Sequence, residues 1–137
     1  LRGGVVADAN SANTAIDTIK FTLTSAAQST ESVDLSTTGV TVTYLDEDSG
    51  INCLTPGTAF DSDSDTSECR WVSTWVIGSS DLLDPEEQVD ITVTLTNLTP
   101  LLPKKKEFTI QVKPNVGASV VVNREIPAEI KGVMDLN

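Results

Sequence analysis

The feature that most constrains the fold is an alternation of apolar and polar side chains with a period of two residues. In the segment 88–95, aliphatic residues occupy the odd positions and Gln, Asp or Thr the even ones, and the segment 107–112 repeats the pattern. Successive side chains of a β-strand point to opposite faces, so this alternation predicts strands with one buried face. The residues predicted to face the core are Val89, Ile91, Val93, Leu95, Phe108, Ile110 and Val112.

Strands are predicted through most of the chain. Segments with β-branched residues and this alternation are separated by clusters of Gly, Pro, Asp, Ser and Asn. The predicted strands are 18–24, 33–35, 39–45, 70–77, 88–95, 107–112 and 119–123. About seven or eight mostly antiparallel strands in one domain form a β-sandwich or a closed barrel. The predicted fold class is therefore all-β.

The length of 137 residues is that of a single domain with its own core. We predict one β-sandwich domain over residues 18–137. Residues 7–16 include weak helix formers such as Asn10 and Asn13, which suit a junction better than a helix. Residues 1–17 are therefore predicted to form a junction before the domain. The first seven residues also lack the basic start and long apolar run of a secretory signal.

The charge balance limits the partners that the chain can bind. It contains 9 Lys and Arg against 20 Asp and Glu, which gives a net charge of -11 at pH 7. Such a charge repels phosphate backbones and anionic membrane surfaces, so we predict no nucleic-acid partner and no membrane contact. If many copies pack side by side, the charge must be screened, neutralised by cations or separated in space.

The two cysteines, Cys53 and Cys69, are predicted to form a disulfide. They are the only cysteines, and the chain has no histidine to complete a zinc or copper site. A disulfide would place the protein in an oxidising, extracytoplasmic environment. The alternative is two buried free thiols in a cytosolic protein.

Two acidic segments are candidates for binding a divalent cation. The segment 61–68 repeats Asp with Ser but lacks the Gly and the bidentate Glu of an EF-hand, so it is either a looser all-oxygen site or a solvated loop. The segment 79–87 lies between two predicted strands, which fix its ends. Asp81, Asp84 and Glu87 are its predicted ligands for a structural Ca²⁺ or Mg²⁺ ion, and the alternative is a turn.

Three further motifs each have a structural and a functional interpretation. Trp71 and Trp75 lie on the same face of one predicted strand, where they suit the core better than a sugar-binding platform. Asn97 begins the only N-glycosylation sequon, just after a predicted strand. The basic run 104–106 is predicted to be a solvated hairpin tip, or a contact with an acidic loop of a neighbouring copy.

The sequence contains no recognisable catalytic motif. It has no histidine, no glycine-rich phosphate loop and no nucleophile-elbow serine. A pair of carboxylates is the remaining route to hydrolysis, and no pair stands out from the many acidic residues. We therefore predict that the protein is not an enzyme.

Five segments together suggest a family. They are Trp-Val-Ile-Gly at 75–78, Leu-Asp-Pro-Glu-Glu at 83–87, Val-Asp-Ile-Thr-Val at 89–93, Ile-Pro-Ala at 126–128 and Val-Met-Asp-Leu-Asn at 133–137. In these segments, and in its long Thr/Val strands, the chain resembles archaellins, the filament subunits of the archaeal flagellum. The terminal pentapeptide is the most specific part of the resemblance.

The resemblance implies an immunoglobulin-like domain on the outside of an extracellular filament whose rotation drives swimming. It also implies an apolar amino-terminal helix in the filament centre, which would precede residues 1–17, and a glycan for which Asn97 is the matching position. The partners would be further copies of the chain or related filament subunits. The alternative is an extracellular calcium-dependent adhesion or carbohydrate-binding module, which would share the sandwich, the disulfide and the acidic loops.

Overall fold

The computed structural model describes residues 1–24, 32–56, 68–78, 81–98, 100–115 and 119–136, apart from the side chain of Arg2. These residues form eleven strands and no helix. The strands are β1 (Arg2–Ala9), β2 (Ile16–Thr24), β3 (Val33–Asp34), β4 (Val40–Asp46), β5 (Gly50–Asn52), β6 (Glu68–Ile77), β7 (Leu82–Leu83), β8 (Gln88–Asn97), β9 (Glu107–Pro114), β10 (Val120–Glu125) and β11 (Val133–Asp135).

The strands form two main sheets that pack as a sandwich. The five-stranded sheet has the order β11-β1-β2-β8-β6, and the four-stranded sheet has the order β10-β9-β4-β5. A separate two-stranded ribbon pairs β3 with β7. All pairings between these strands are antiparallel. The all-β, antiparallel sandwich predicted from the sequence is therefore confirmed, and each of the seven predicted strands is present.

One core lies between the two sheets, and it is built from the alternating positions. All seven residues predicted to face the core are at most 2% exposed. Tyr44 on β4 and Trp71 on β6 are the largest of the fully buried side chains. Residues of both sheets belong to one continuous apolar cluster, which is the dominant stabilising element of such a domain.

Residues 1–17 differ from their prediction as a junction, because they contain an interior strand of the larger sheet. β1 is hydrogen-bonded between β2 and β11. Its alternation is hard to read because Gly3 and Ala7 contribute little or no side chain, although Ala7 is fully buried. Gly3 has a positive φ of 74° at a register irregularity in β1, a backbone conformation that favours glycine.

The polar residues after β1 form a tight turn into β2 instead of helical turns. The backbone N–H of Thr14 donates to Oδ1 of Asn10 at 2.9 Å. The N–H of Asn10 donates to the carbonyl of Ala15 at 2.9 Å, and Asn13 has a positive φ of 54°. Asn tolerates this conformation and its side chain bonds nearby backbone, so the residues that weaken a helix favour the turn.

The carboxyl-terminal segment adds an edge strand to the same sheet. β11 pairs with β1, with Ala7 opposite Met134, and the N–H of Leu136 donates to the carbonyl of Val5 at 2.8 Å. Met134 and Leu136 are buried, whereas Val133 is 69% exposed. The apolar tail is therefore part of the folded domain.

The connection between β8 and β9 crosses from one sheet to the other. β8 lies in the five-stranded sheet and β9 in the four-stranded sheet. Leu98 and Leu102 are buried in this connection, and the N–H of Ile16 donates to the carbonyl of Leu102 at 2.9 Å. The prediction of a hairpin tip at 104–106 is therefore wrong, because two strands with the same alternation need not be paired with each other.

Candidate functional surfaces

A disulfide between Cys53 and Cys69 joins the two sheets at one edge of the sandwich. Its sulfur atoms are 2.09 Å apart and its Cα atoms 4.6 Å apart. Cys53 follows β5, the edge of the four-stranded sheet, and Cys69 belongs to β6, the edge of the five-stranded sheet. Leu54 supports the junction, since its N–H donates to the carbonyl of Cys69 and its own carbonyl accepts the N–H of Trp71. Both cysteines are buried, so the bond lies within the core.

The predicted cation ligands Asp81, Asp84 and Glu87 lie in a hydrogen-bonded turn. The Oε2 atom of Glu87 accepts the N–H of Asp84 at 2.9 Å, and the N–H of Glu87 donates to the carbonyl of Asp84 at 3.1 Å. The carboxylate of Asp84 also accepts the hydroxyl of Ser32. The carbonyl of Asp81 accepts the N–H of Leu35.

These contacts correspond to the turn that the sequence analysis gave as the alternative. In the part of the chain that the structure describes, no three acidic or cysteine side chains are grouped to hold a metal ion. One oxygen of Glu87 accepts the backbone N–H of Asp84, and the other Glu87 oxygen has no part in that bond. A Ca²⁺ or Mg²⁺ ion at this turn stays a prediction. In the other acidic candidate, the segment 61–68, residues 61–67 lie outside the described residues and Glu68 begins β6.

The two tryptophans belong to the core. Trp71 is 1% exposed, and Trp75 is partly buried and packs against the core cluster. Two indoles supply much of the apolar burial in a chain with so few aromatic residues. A sugar-binding platform requires exposed rings, so this alternative is not favoured.

Asn97 is the last residue of β8, within the sheet rather than after it. It is opposite Glu68, the first residue of β6, and its side chain is half-buried. Thr99 of the sequon lies outside the described residues. A glycan on Asn97 stays a prediction.

A carboxylate that the sequence analysis did not single out holds the turn between β4 and β5. Oδ1 of Asp46 accepts the N–H groups of Asp48 at 2.8 Å and Ser49 at 2.6 Å, and Oδ2 accepts the hydroxyl of Tyr44 at 2.7 Å. Burial, followed by this hydrogen bond, raises the pKa of Tyr44 far above its usual value, so the phenol stays protonated. The sequence signal for this turn is an Asp at the end of an alternating strand, with Ser and Gly three and four residues later.

The basic run makes a contact within its own chain. The ammonium of Lys106 pairs with the carboxylate of Glu47, in the turn after β4. This hydrogen bond lowers the pKa of Glu47 and raises that of Lys106. Glu47 is exposed and Lys106 is half-buried at the surface, so solvent screens the pair and it adds little to stability. Lys104 and Lys105 are exposed.

No helix among the described residues is long and apolar enough to cross a membrane.

A sequence model of the archaeal-type flagellin family matches residues 2–124, which is most of the chain. The chain belongs to the archaeal-type flagellin family. It is therefore a structural subunit of the archaellum filament, which is extracellular. The adhesion or carbohydrate-binding alternative is not favoured.

Three solved structures have the same fold. The crystal structure of archaeal flagellin FlaB1 from Methanocaldococcus jannaschii has a TM-score of 0.78 at 16% identity, covering 97% of this chain and 93% of that chain. The archaeal flagellum of Methanospirillum hungatei strain JF1 has a TM-score of 0.69 at 18% identity, covering 100% and 69%. The archaellum periplasmic stator protein FlaG from Sulfolobus acidocaldarius has a TM-score of 0.52 at 15% identity, covering 85% and 91%. No curated protein sequence matches the chain.

Proposed function

We propose that copies of this chain polymerise, alone or with related flagellin subunits, into a helical filament whose rotation drives swimming. The observation that carries the proposal is the family match over residues 2–124, on a sandwich that resembles a subunit of the assembled Methanospirillum filament. A repeated heterologous contact that does not close into a ring generates such an open helical array.

The sandwich is suited to a load-bearing role. Its two sheets share one core, and the Cys53–Cys69 disulfide adds a covalent connection between them. A bond of this kind restricts opening of the sandwich at that edge. A glycan on Asn97 and a cation bound at the turn 81–87 are further elements of the proposal, and both would act on the surface rather than in the core.

Deleting the encoding gene in the cells that produce the protein tests this function. The deletion strain is expected to lose filaments in electron micrographs and to lose swimming, and the gene restored in trans is expected to recover both. The same gene with a stop codon early in the reading frame is the matched control, since it supplies the DNA without the protein. Intact filaments in the deletion strain, combined with absence of the protein from purified wild-type filaments, would contradict the proposal.

A further inference from the structure

Met134 is the only methionine of the chain, and it lies in β11, a strand of three residues at one edge of the five-stranded sheet. It is 7% exposed, whereas Val133 and Asp135 on either side of it are exposed. Val93 and Ile110, in the interior strands β8 and β9, are fully buried. Met134 therefore belongs to the rim of the core rather than to its centre.

A surface cavity of about 370 Å³ has Met134 in its wall. The other residues of the wall are all exposed, so the cavity is open to solvent. They are Pro127, Glu129, Lys131, Val133 and Asp135. A water molecule takes up about 30 Å³ in the liquid, so a small solute of a few atoms enters such a cavity. Met134 is therefore a buried side chain that a small oxidant reaches from outside.

β11 is attached to the domain less firmly than the other strands of its sheet. It pairs with β1 alone, whereas β1, β2 and β8 each have two neighbours. Two backbone bonds extend the pairing, from the N–H of Leu136 to the carbonyl of Val5 at 2.8 Å and from the N–H of Ala9 to the carbonyl of Gly132 at 2.9 Å. The opposite edge strand, β6, contains a disulfide cysteine, and β11 contains none. Short edge elements of this kind open locally at a smaller cost than the whole domain unfolds.

Oxidation by a hydroperoxide converts the Met134 side chain from apolar to polar. The sulfur attacks one oxygen of hydrogen peroxide, so that an S–O bond forms as the O–O bond breaks. The departing hydroxide takes the proton of the transferred oxygen and leaves as water. The sulfur is oxidised by two electrons, which the peroxide gains. Hydrogen peroxide is uncharged, so the net charge of -11 does not repel it.

The sulfoxide oxygen is a hydrogen-bond acceptor in an apolar environment. Ala7, which lies opposite Met134 on β1, is fully buried and has no polar side-chain atom. A buried acceptor without a donor carries the full cost of its desolvation. Opening of β11 returns the oxygen to water and leaves the rest of the core packed. The modification therefore favours the open form of this edge.

We propose that a hydroperoxide oxidises Met134 to its sulfoxide and that this modification detaches β11 from β1. Detachment removes the partners of the Val5 carbonyl and the Ala9 N–H, and it uncovers the outer edge of β1. An uncovered strand edge is a template for pairing with another strand. Methionine sulfoxide reductases remove the oxygen, so the detachment is reversible. The inference concerns the domain itself and does not depend on the filament function.

Hydrogen exchange of the purified native protein, before and after treatment with hydrogen peroxide, tests the proposal. The intact mass is expected to rise by about 16 Da, which is one oxygen atom. Proteolytic fragments that cover β1 and residues 130–136 should exchange at least about tenfold faster after oxidation, the effect expected of one unpartnered acceptor. A fragment that covers β8 should keep its rate. Methionine sulfoxide reductases should reverse both the mass gain and the faster exchange.

Two substitutions separate the sulfur from the strand that carries it. Met134→Leu is the matched control, because leucine has a similar volume and no sulfur. This variant is expected to keep slow exchange in β1 and in residues 130–136 when peroxide is added. Met134→Gln supplies a polar group without an oxidant, and it should speed exchange of the same fragments in the absence of peroxide.

Four results would overturn the proposal. The first is a folded protein that gains no oxygen under conditions in which the urea-unfolded protein gains it, since Met134 is then out of reach. The second is a mass gain with unchanged exchange, and the third is equal acceleration in Met134→Leu. The fourth is faster exchange of the β8 fragment to the same extent, which would indicate unfolding of the whole domain in place of detachment of β11.

Discussion

Among single residues, Asp46 has the largest number of defined polar contacts in the turn between β4 and β5. It accepts three hydrogen bonds, one of them from the fully buried Tyr44. We expect Asp46→Ala to lower the free energy of unfolding by about 1–3 kcal/mol, because it leaves a buried hydroxyl without its acceptor and removes the acceptor of two backbone groups. Urea unfolding followed by tryptophan fluorescence measures the change.

The neighbouring carboxylate provides the control for this prediction. Asp48 lies in the same turn, where its backbone N–H donates to Asp46 and its side chain is exposed to solvent. Asp48→Ala is expected to stay within about 0.5 kcal/mol of the wild type, as surface substitutions usually do. Equal effects of the two substitutions would show that loss of negative charge, rather than loss of the acceptor, determines stability.

For strands, the alternation of side chains predicts which face is buried but not which strand is the neighbour. β8 and β9 show the same pattern, yet they lie in different sheets. β1 was missed because small residues such as Gly3 and Ala7 obscure the pattern, and their burial depends on strands far away in sequence. Short strands such as β5 and β7 contain too few residues for any period to be recognised.

For the candidate sites too, the sequence predicts local features but not the contacts that folding creates. Cysteine count and spacing were sufficient to predict the Cys53–Cys69 pair. For Asp81, Asp84 and Glu87, the sequence indicates a group of acidic residues but not the local hydrogen bonds that orient them, such as the bond from the Asp84 N–H to Glu87. The role of Asp46 depends on Tyr44 being buried, which only the packing of the two sheets determines.

The disulfide connects two edge strands, and its removal tests how much it stabilises them. Cys53→Ala combined with Cys69→Ala is expected to lower the free energy of unfolding by about 3 kcal/mol, the value for a closed loop of about 15 residues. For a chain of this size, the melting temperature should fall by about 10 °C. Differential scanning calorimetry of the oxidised wild type and the double variant measures it.

Reduction of the wild type supplies the control for the disulfide. The reduced wild type and the double variant should melt together, because both lack the constraint on the unfolded chain. A double variant that melts with the oxidised wild type would show that the Leu54 hydrogen bonds to β6 are sufficient to hold this edge.

Over the whole molecule, stability should depend on pH through three surface groups and the buried Tyr44, whose raised pKa means that the unfolded chain is favoured as the pH rises above about 10. Hydrogen bonds lower the pKa of Asp34, through Ser36, and of Glu47, through Lys106, so their contributions are present above the unfolded pKa near 4 and are lost as the pH falls through the folded values. The pKa of Lys106 is raised, so its contribution is lost as the pH rises through its folded value above 10.5. We therefore expect a plateau in urea midpoint around neutral pH, with a decline on each side.

A double variant separates these groups from the other acidic residues. Asp34→Asn with Glu47→Gln removes both carboxylates whose pKa is lowered, so the decline on the acidic side should become shallower. The urea midpoint measured at about one-unit intervals from about pH 2 to 8 compares the variant with the wild type. If the urea midpoint of the variant falls at low pH as steeply as that of the wild type, other ionisable groups cause the fall.

The position of β1 between β11 and β2 determines how the domain responds to a pull on Leu1. Hydrogen bonds of antiparallel strands run perpendicular to the strand direction, so tension along β1 loads the bonds to both neighbours in shear and all at once. An edge strand peeled away from its sheet would instead break its bonds one after another. The carboxyl-terminal tail, by covering the outer edge of β1, converts a strand that could be peeled into one that must be sheared.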